Sequence, residues 1–309
     1  MQTKLTMTAS DWLLLILLSV LWGASFFFVE LAVDDIPPFT LALARCAIAA
    51  AFLLIYVRIN GFSLPQDAAT WRALAVLAAL NTLFPFTLIF WGQTHITSSL
   101  AGILNATAPL FSIVIAHFAT TDERMTVPRA FGVVVGFIGA VVMIGVDALR
   151  DVGVHVLAQL AIVLAAFCYA CSGVYGRRFK DYPPSVVAVS IMMIGSCMLL
   201  PLSFLIDRPW MLPMPSSAAL ASMFGLGLVS TGLAFLIYFR VLARAGAVNF
   251  QLVAFLIPVS AILLGVGVLG EQLESRHLIG MAAIALGLAI IDGRPLRALK
   301  RRFGRAQEA

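Results

Sequence analysis

Apolar residues in this chain do not alternate with polar ones. They run almost unbroken for about twenty positions at a time, and short polar segments separate the runs. Ten runs fall near 12–33, 36–57, 71–91, 97–118, 127–146, 155–176, 185–206, 217–239, 247–269 and 277–292. A helix rises about 1.5 Å per residue, so about 20 apolar residues cross a hydrocarbon core about 30 Å thick. Only helices and closed barrels satisfy every backbone polar group in lipid, and a barrel would read as alternating ten-residue segments. The pattern therefore predicts an all-α integral membrane protein with ten transmembrane helices. The first run is too long for the core of a typical signal peptide and leads straight into a second, so it is expected to be a retained helix. The polar segments are too short to fold alone, and no soluble domain is expected.

Composition agrees: 61% of the residues are hydrophobic and 11% charged. The placement of charge adds an orientation. If the N-terminus is cytoplasmic, 16 of the 20 Lys and Arg fall on the inner side, Arg150, Arg208 and Arg276 fall outside, and Arg45 lies within a span. Positive residues favour cytoplasmic loops, so both termini are expected inside. The net charge of +5 thus reports topology and contact with the lipid bilayer, not nucleic-acid binding. The basic tail, 294–309, can rest on anionic headgroups. Cys46, Cys168, Cys171 and Cys197 all lie in spans, where they are expected to act as small packing residues.

The chain also repeats itself at an offset of about 146–149 residues. Ile36-Pro37-Pro38-Phe39 is echoed by Tyr182-Pro183-Pro184-Ser185, and Trp22-Gly23-Ala24-Ser25 falls against Tyr169-Ala170-Cys171-Ser172. Pro109 matches Pro258, Glu123 matches Glu271, and Gly132, Gly139 and Gly145 match Gly280, Gly287 and Gly293. Same-order matches at a near-constant spacing indicate two homologous halves, 1–150 and 151–293. Five spans per half is odd, so the second half enters the membrane from the opposite side. Inverted halves suit alternating access, because exchanging their conformations turns an outward-open state into an inward-open one.

At these residues the chain resembles the EamA-type branch of the drug/metabolite transporter superfamily. The resemblance rests on Leu21-Trp22-Gly23-Ala24-Ser25, on Pro37-Pro38 followed by Arg45, and on Leu256-Ile257-Pro258-Val259 followed by Glu271 and Ile279-Gly280. The first half carries Ala108-Pro109-Leu110, Glu123 and Gly132 in the same order. Among members it is most similar to bacterial exporters of amino acids, including aromatic ones. The resemblance implies two inverted five-helix repeats around a central cavity, a bacterial inner-membrane location, and a small-molecule substrate.

Arg45 is the deepest charge, about 13 Å below the outer face at helical rise. An arginine at that depth is costly and should face a wet cavity or a partner. It is either a clamp for a substrate carboxylate or part of a structural contact, with Glu30 as one candidate ion-pair partner. Glu30 could instead be a proton-coupling carboxylate. Trp22 lies near the bilayer midplane, unlike Trp12, Trp71, Trp91 and Trp210 at the interfaces. With Phe26, Phe84, Tyr169, Tyr175 and Tyr238 it would form an aromatic wall. Ser25, Asn81, Asn105, Ser172, Ser230 and Thr231 supply polar groups at mid-depth, for substrate or as bonds between helices. Thr82 and Thr107 belong to the same group, and Asn249 and Gln251 are placed to form an inner gate. Pro85, Pro109 and Pro258 interrupt spans 3, 4 and 9 and are candidate hinges. Gly132, Gly136 and Gly139 make a small-residue face on span 5, suited to packing within the monomer or to a homodimer. No nucleophile–base pair, metal-ligand constellation or P-loop is present, so neither an enzyme nor a cofactor is expected. A secondary transporter is the leading expectation, with a passive facilitator or a drug/metabolite efflux pump as the alternative.

Overall fold

The computed structural model describes residues 7–119, 125–145, 153–250 and 252–293. Glu123, Arg124, Arg150, Gln251 and the tail 294–309 lie outside them. Among the described residues nine helices are long and apolar enough to cross a membrane: Ala9–Ala32, Pro38–Ile59, Ala68–Gln93, Ser98–Ala119, Val127–Ile144, Val154–Phe179, Pro184–Met211, Ser217–Gly246 and Ser275–Asp292. The first eight are spans 1 to 8 and the last is span 10. Span 9 is the shorter apolar helix Val253–Gly267.

The helix starts follow from the sequence. Span 1 opens on a reciprocal cap. The Asp11 N–H donates to Thr8 Oγ1 at 3.3 Å, and the Thr8 N–H donates to Asp11 Oδ2 at 3.0 Å. Spans 2 and 7 each begin on the second proline of a Pro-Pro pair, where the missing N–H costs nothing. Asp67 opens span 3 by accepting the Thr70 N–H at 2.6 Å, and Ser216 opens span 8 by accepting the Ala219 N–H at 3.2 Å. Asp35 and Asp67 lie outside the spans. Bonds from Ser216 and Thr70 respectively hold their carboxyls below the usual range. These caps are intact at neutral pH and are lost as pH falls through the lowered values.

Regular α-helix is broken at corresponding places in the two halves. Span 3 contains the π-helical stretch Ala79–Leu83, and span 8 contains Gly225–Leu233. Span 4 is divided into Ser98–Asn105 and Ala108–Ala119. On the other half, helical residues run on to Phe250 past Gly246, whose φ of 75° and ψ of 165° redirect the chain. Val253–Gly267 follows. Span 9 is thus approached through a short helical piece, as the lower half of span 4 is.

Packing repeats the symmetry. Spans 5 and 10 pack together, as do spans 2 and 7; the pair 1 and 9 is matched by 6 and 4, 1 and 8 by 6 and 3, and 2 and 8 by 7 and 3. Each pairing survives when a span is exchanged for the one five places along. Spans 5 and 10 meet at glycine. A Cβ on Gly139 would lie 2.6 Å from the Gly280 carbonyl oxygen, and one on Gly132 would lie 2.7 Å from that of Gly287. The small-residue face on span 5 is therefore used within the chain and leaves no seam there for a second copy. Around the outside, large apolar side chains face away from the protein, among them Leu13, Phe131, Leu205 and Leu263, each more than 60% exposed. A water-soluble surface rarely tolerates such a continuous patch; lipid tails solvate it.

Candidate substrate cavity

The kinked spans leave a chamber of about 710 Å³ at the centre of the molecule. That volume is within the range of small-molecule sites. Both halves wall it. Trp22, Ser25 and Phe26 come from span 1, Arg45 from span 2, Asn81 from span 3, Asn105 from span 4, Tyr169 and Ser172 from span 6, and Ser230, Thr231 and Tyr238 from span 8. Ile191, which the repeat sets against Arg45, lines the chamber too.

Arg45 is 7% exposed. Its Nε donates to Thr231 Oγ1 at 2.9 Å. Thr231 is held in turn by donating to the Leu226 carbonyl at 2.8 Å, across the π-helical turn of span 8. The guanidinium carbon stands 4.0 Å from the centroid of the Phe86 ring, close enough for cation–π attraction. Among the described residues no carboxylate pairs with Arg45. Glu30 is turned elsewhere: its Oε2 accepts from Gln93 Nε2 at 3.3 Å, and the same amide donates to the Phe26 carbonyl at 2.9 Å.

Trp22, Tyr238 and Phe250 pack on one another at the second side of the chamber. Ring centroids lie 5.9 Å apart for Trp22 and Tyr238, 6.0 Å for Trp22 and Phe250, and 4.9 Å for Tyr238 and Phe250. The two Phe250 contacts are edge-on. On the same lining, Asn81 Nδ2 donates to Ser172 Oγ at 3.0 Å, and Ser172 donates to the Tyr169 carbonyl at 2.8 Å. Asn105 Oδ1 and Ser230 Oγ are buried and have no hydrogen-bond partner among the described residues.

Two of the aromatic candidates lie off the wall. Phe84 is 49% exposed on the outside of span 3, and Phe86 takes its place at the cavity. The π-helical turn just before it adds a residue to the turn and rotates the following face. Tyr175 accepts a hydrogen bond from Arg178 Nη1 at 2.6 Å and lies beneath that guanidinium, at the end of span 6. The prolines also differ among themselves. Pro85 follows the π-helical turn, and Pro109 is the second residue of Ala108–Ala119, so it starts a helix. Pro258 lies inside an unbroken Val253–Gly267. Thr82 and Thr107 bond back to their own helices, to the Ala78 and Leu104 carbonyls at 2.6 and 2.7 Å. Asn249 Nδ2 donates to the Ala245 carbonyl at 3.0 Å.

The two ends of the chamber differ. Where the charge pattern places the outside, carboxylates of one half cap helices of the other. Glu271 Oε1 accepts the Ser98 N–H at 2.9 Å and its hydroxyl at 2.6 Å, while Oε2 accepts the Ser99 N–H at 2.9 Å. Asp207 accepts the Thr40 N–H at 2.7 Å, and Asp35 accepts the Ser216 N–H at 2.9 Å. These contacts join the start of spans 2, 4 and 8 to the opposite half. At the basic face the chamber wall extends to Lys180, Tyr182, Leu242 and Phe250. There the halves are joined at the edge, by Arg244 Nε to Asp11 Oδ1 at 2.9 Å and by Thr70 Oγ1 with the Tyr182 hydroxyl at 3.1 Å. Carboxylate contacts thus bridge the halves at one end, and the chamber lining reaches the basic face at the other. A smaller crevice of about 130 Å³ between spans 4, 9 and 10, walled by Ile103, Phe255, Met281 and Leu288, offers only apolar contacts.

Sequence reasoning missed Phe86, Phe250, Lys180 and the Glu271 cap. Phe86 is hidden by the π-helical turn. Phe250 is one of 22 phenylalanines, and no local pattern sets it apart. Glu271 is matched in the repeat, but its partners lie 172 and 173 residues away, beyond any local pattern.

The model of the EamA-like transporter family matches residues 10–145 and again 156–292, one match per half. The uncharacterised transporter YoaV of Bacillus subtilis is 25% identical over 277 residues, which cover 89% of this chain and 94% of that protein. A probable terminal-alkyne amino-acid exporter of Streptantibioticus cattleyicolor is 28% identical over 297 residues, covering 96% and 95%. The uncharacterised inner membrane transporter YedA of Escherichia coli K12 is 21% identical over 274 residues, covering 89% and 88%. A solved crystal structure superposes with a TM-score of 0.66 at 21% identity, covering 91% of this chain and 97% of that one, and shares the fold. With both halves matched by one family model, the chain belongs to the EamA-like transporter family.

Proposed function

We propose that the protein is a secondary exporter of amino acids with large neutral side chains, aromatic ones first, or of related small metabolites. One observation carries this reading: an Arg45 guanidinium with no carboxylate partner among the described residues shares a chamber, built by both halves, with an aromatic wall. An amino acid brings a carboxylate for the guanidinium and an apolar group for Trp22, Tyr238 and Phe250. The Streptantibioticus cattleyicolor relative, named a probable terminal-alkyne amino-acid exporter, supports the same class. Both termini are assigned to the cytoplasm of an inner membrane, from the charge pattern and from the location given in the YedA name. The chamber then opens inward, where an exporter collects its cargo. Closure at the opposite face by Glu271, Asp207 and Asp35 supports alternating access over a continuous pore. Transport, rather than an enzymatic step, is the role of a site with these groups.

The test is counterflow in proteoliposomes loaded with phenylalanine, tryptophan, methionine or threonine. Labelled substrate is expected to accumulate above empty-vesicle background. Repeating the assay with an imposed proton gradient separates a coupled exporter from a facilitator. Movement of a lipophilic cationic drug with no movement of any amino acid would favour the efflux-pump reading. Reporter fusions at Ala309 and in the 207–214 loop are expected to give opposite signals; equal signals would overturn the assigned orientation.

A further inference from the structure

The charges that line the chamber have one sign. Arg45 lies deep in it and Lys180 stands at its mouth, and no carboxylate lines it among the described residues. Two acids of the spans and their ends are engaged elsewhere: Glu30 accepts from Gln93, and Glu271 caps the start of span 4 at Ser98 and Ser99. A zwitterionic amino acid placed with its carboxylate on Arg45 leaves an ammonium group facing only neutral groups and two cations. Two of those neutral groups are specific. Asn105 Oδ1 and Ser230 Oγ have no hydrogen-bond partner among the described residues, and a neutral N–H or O–H can donate to each without bringing a positive charge. The aromatic trio offers no better home for a cation. Its rings pack edge-on and tilted against each other, so they form a wall and not an open cage.

We infer that the site selects net anions: large apolar carboxylic acids whose amine is acylated or replaced by a hydroxyl are its preferred cargo over the parent amino acids, and amines without a carboxylate are excluded. This rests on the reading of Arg45 as a carboxylate clamp and narrows the substrate class within it. An unpaired ammonium costs desolvation in a chamber whose lining charges, Arg45 within and Lys180 at the mouth, are both positive. A masked amine does not pay that cost, and it keeps a donor for the orphaned acceptors.

The experiment holds the side chain constant and varies the amine. Binding of phenylalanine, N-acetylphenylalanine, phenyllactate and phenethylamine to the purified full-length protein is measured by calorimetry. N-acetylphenylalanine and phenyllactate are expected to bind about tenfold more tightly than phenylalanine, or better, with no binding of phenethylamine. The near-isosteric Asn105→Asp variant is expected to shift the ratio toward phenylalanine by placing a carboxylate where the amine would lie. Phenylalanine binding as tightly as its acylated form, or phenethylamine competing with it, overturns the charge selection while the carboxylate clamp stands. A ratio unmoved by Asn105→Asp overturns the placement of the amine group. Failure of all three acids to bind removes the clamp itself, and the selection with it.

Discussion

Arg45→Ala is expected to lower counterflow by about tenfold or more, the scale of a lost charge-assisted hydrogen bond in a binding site. The melting temperature in detergent should change little. The structural cost is small because, among the described residues, the arginine's own contacts are few: one bond from Nε to Thr231 and ring contacts with Phe86 and Phe90. Thr231 keeps its bond to the Leu226 carbonyl. Removing a buried guanidinium also recovers desolvation energy, which insertion scales put at about 2.5–3.5 kcal/mol at mid-membrane. Arg45→Lys keeps the charge and loses the planar fork, so partial activity is expected. A misfolded Arg45→Ala protein, with Arg45→Lys folded and fully active, would make the residue structural.

Gly139→Val is expected to produce the largest loss of stability. Its first side-chain carbon would lie 2.6 Å from the Gly280 carbonyl and 2.9 Å from both Ala283 Cβ and the Ile284 nitrogen. Two of these three atoms are backbone and cannot rotate away, so spans 5 and 10 must part. Overpacking of this kind costs about 1–3 kcal/mol or more, and here it falls on one of the main interfaces of the molecule. Gly267→Ala, where nothing lies within 4 Å, is the control and should leave stability unchanged. Unfolding curves in mild detergent read both. Equal stability of the two variants would mean that the seam is not close-packed.

The architecture was legible because lipid leaves so few solutions. Unbroken apolar runs, Pro-Pro pairs at helix starts and small residues at spans 5 and 10 each carry a direct physical meaning. Arg45 was legible because a charge at that depth needs a reason. Irregular backbone was not legible. The π-helical turn at Ala79–Leu83 decides that Phe86 and not Phe84 meets the guanidinium, and no residue pattern marks it. Pro109 and Pro258 look equivalent in the sequence, yet only the first adjoins a break. The second half redirects its chain at Gly246 instead. The Glu271 cap depends on how the two halves meet, which becomes visible only once both are folded.

Glu271→Ala is a further expectation. It removes three bonds from the start of span 4, so the outer closure should loosen and cargo should leak from loaded proteoliposomes. Retention equal to that of the unaltered protein would count against its role as a latch.

The claim that the chamber holds the cargo and is reached from one face at a time is tested most directly by sided thiol labelling. Ala108→Cys places a thiol on the chamber wall in a background with the four native cysteines replaced. A membrane-impermeant maleimide is applied to vesicles of each orientation, with and without cargo. Labelling is expected from the basic face, with slower labelling when phenylalanine or its acylated form is present, and labelling from the opposite face only while transport is under way. Equal labelling from both faces in the absence of cargo, or no protection by any carboxylate ligand, would contradict the account.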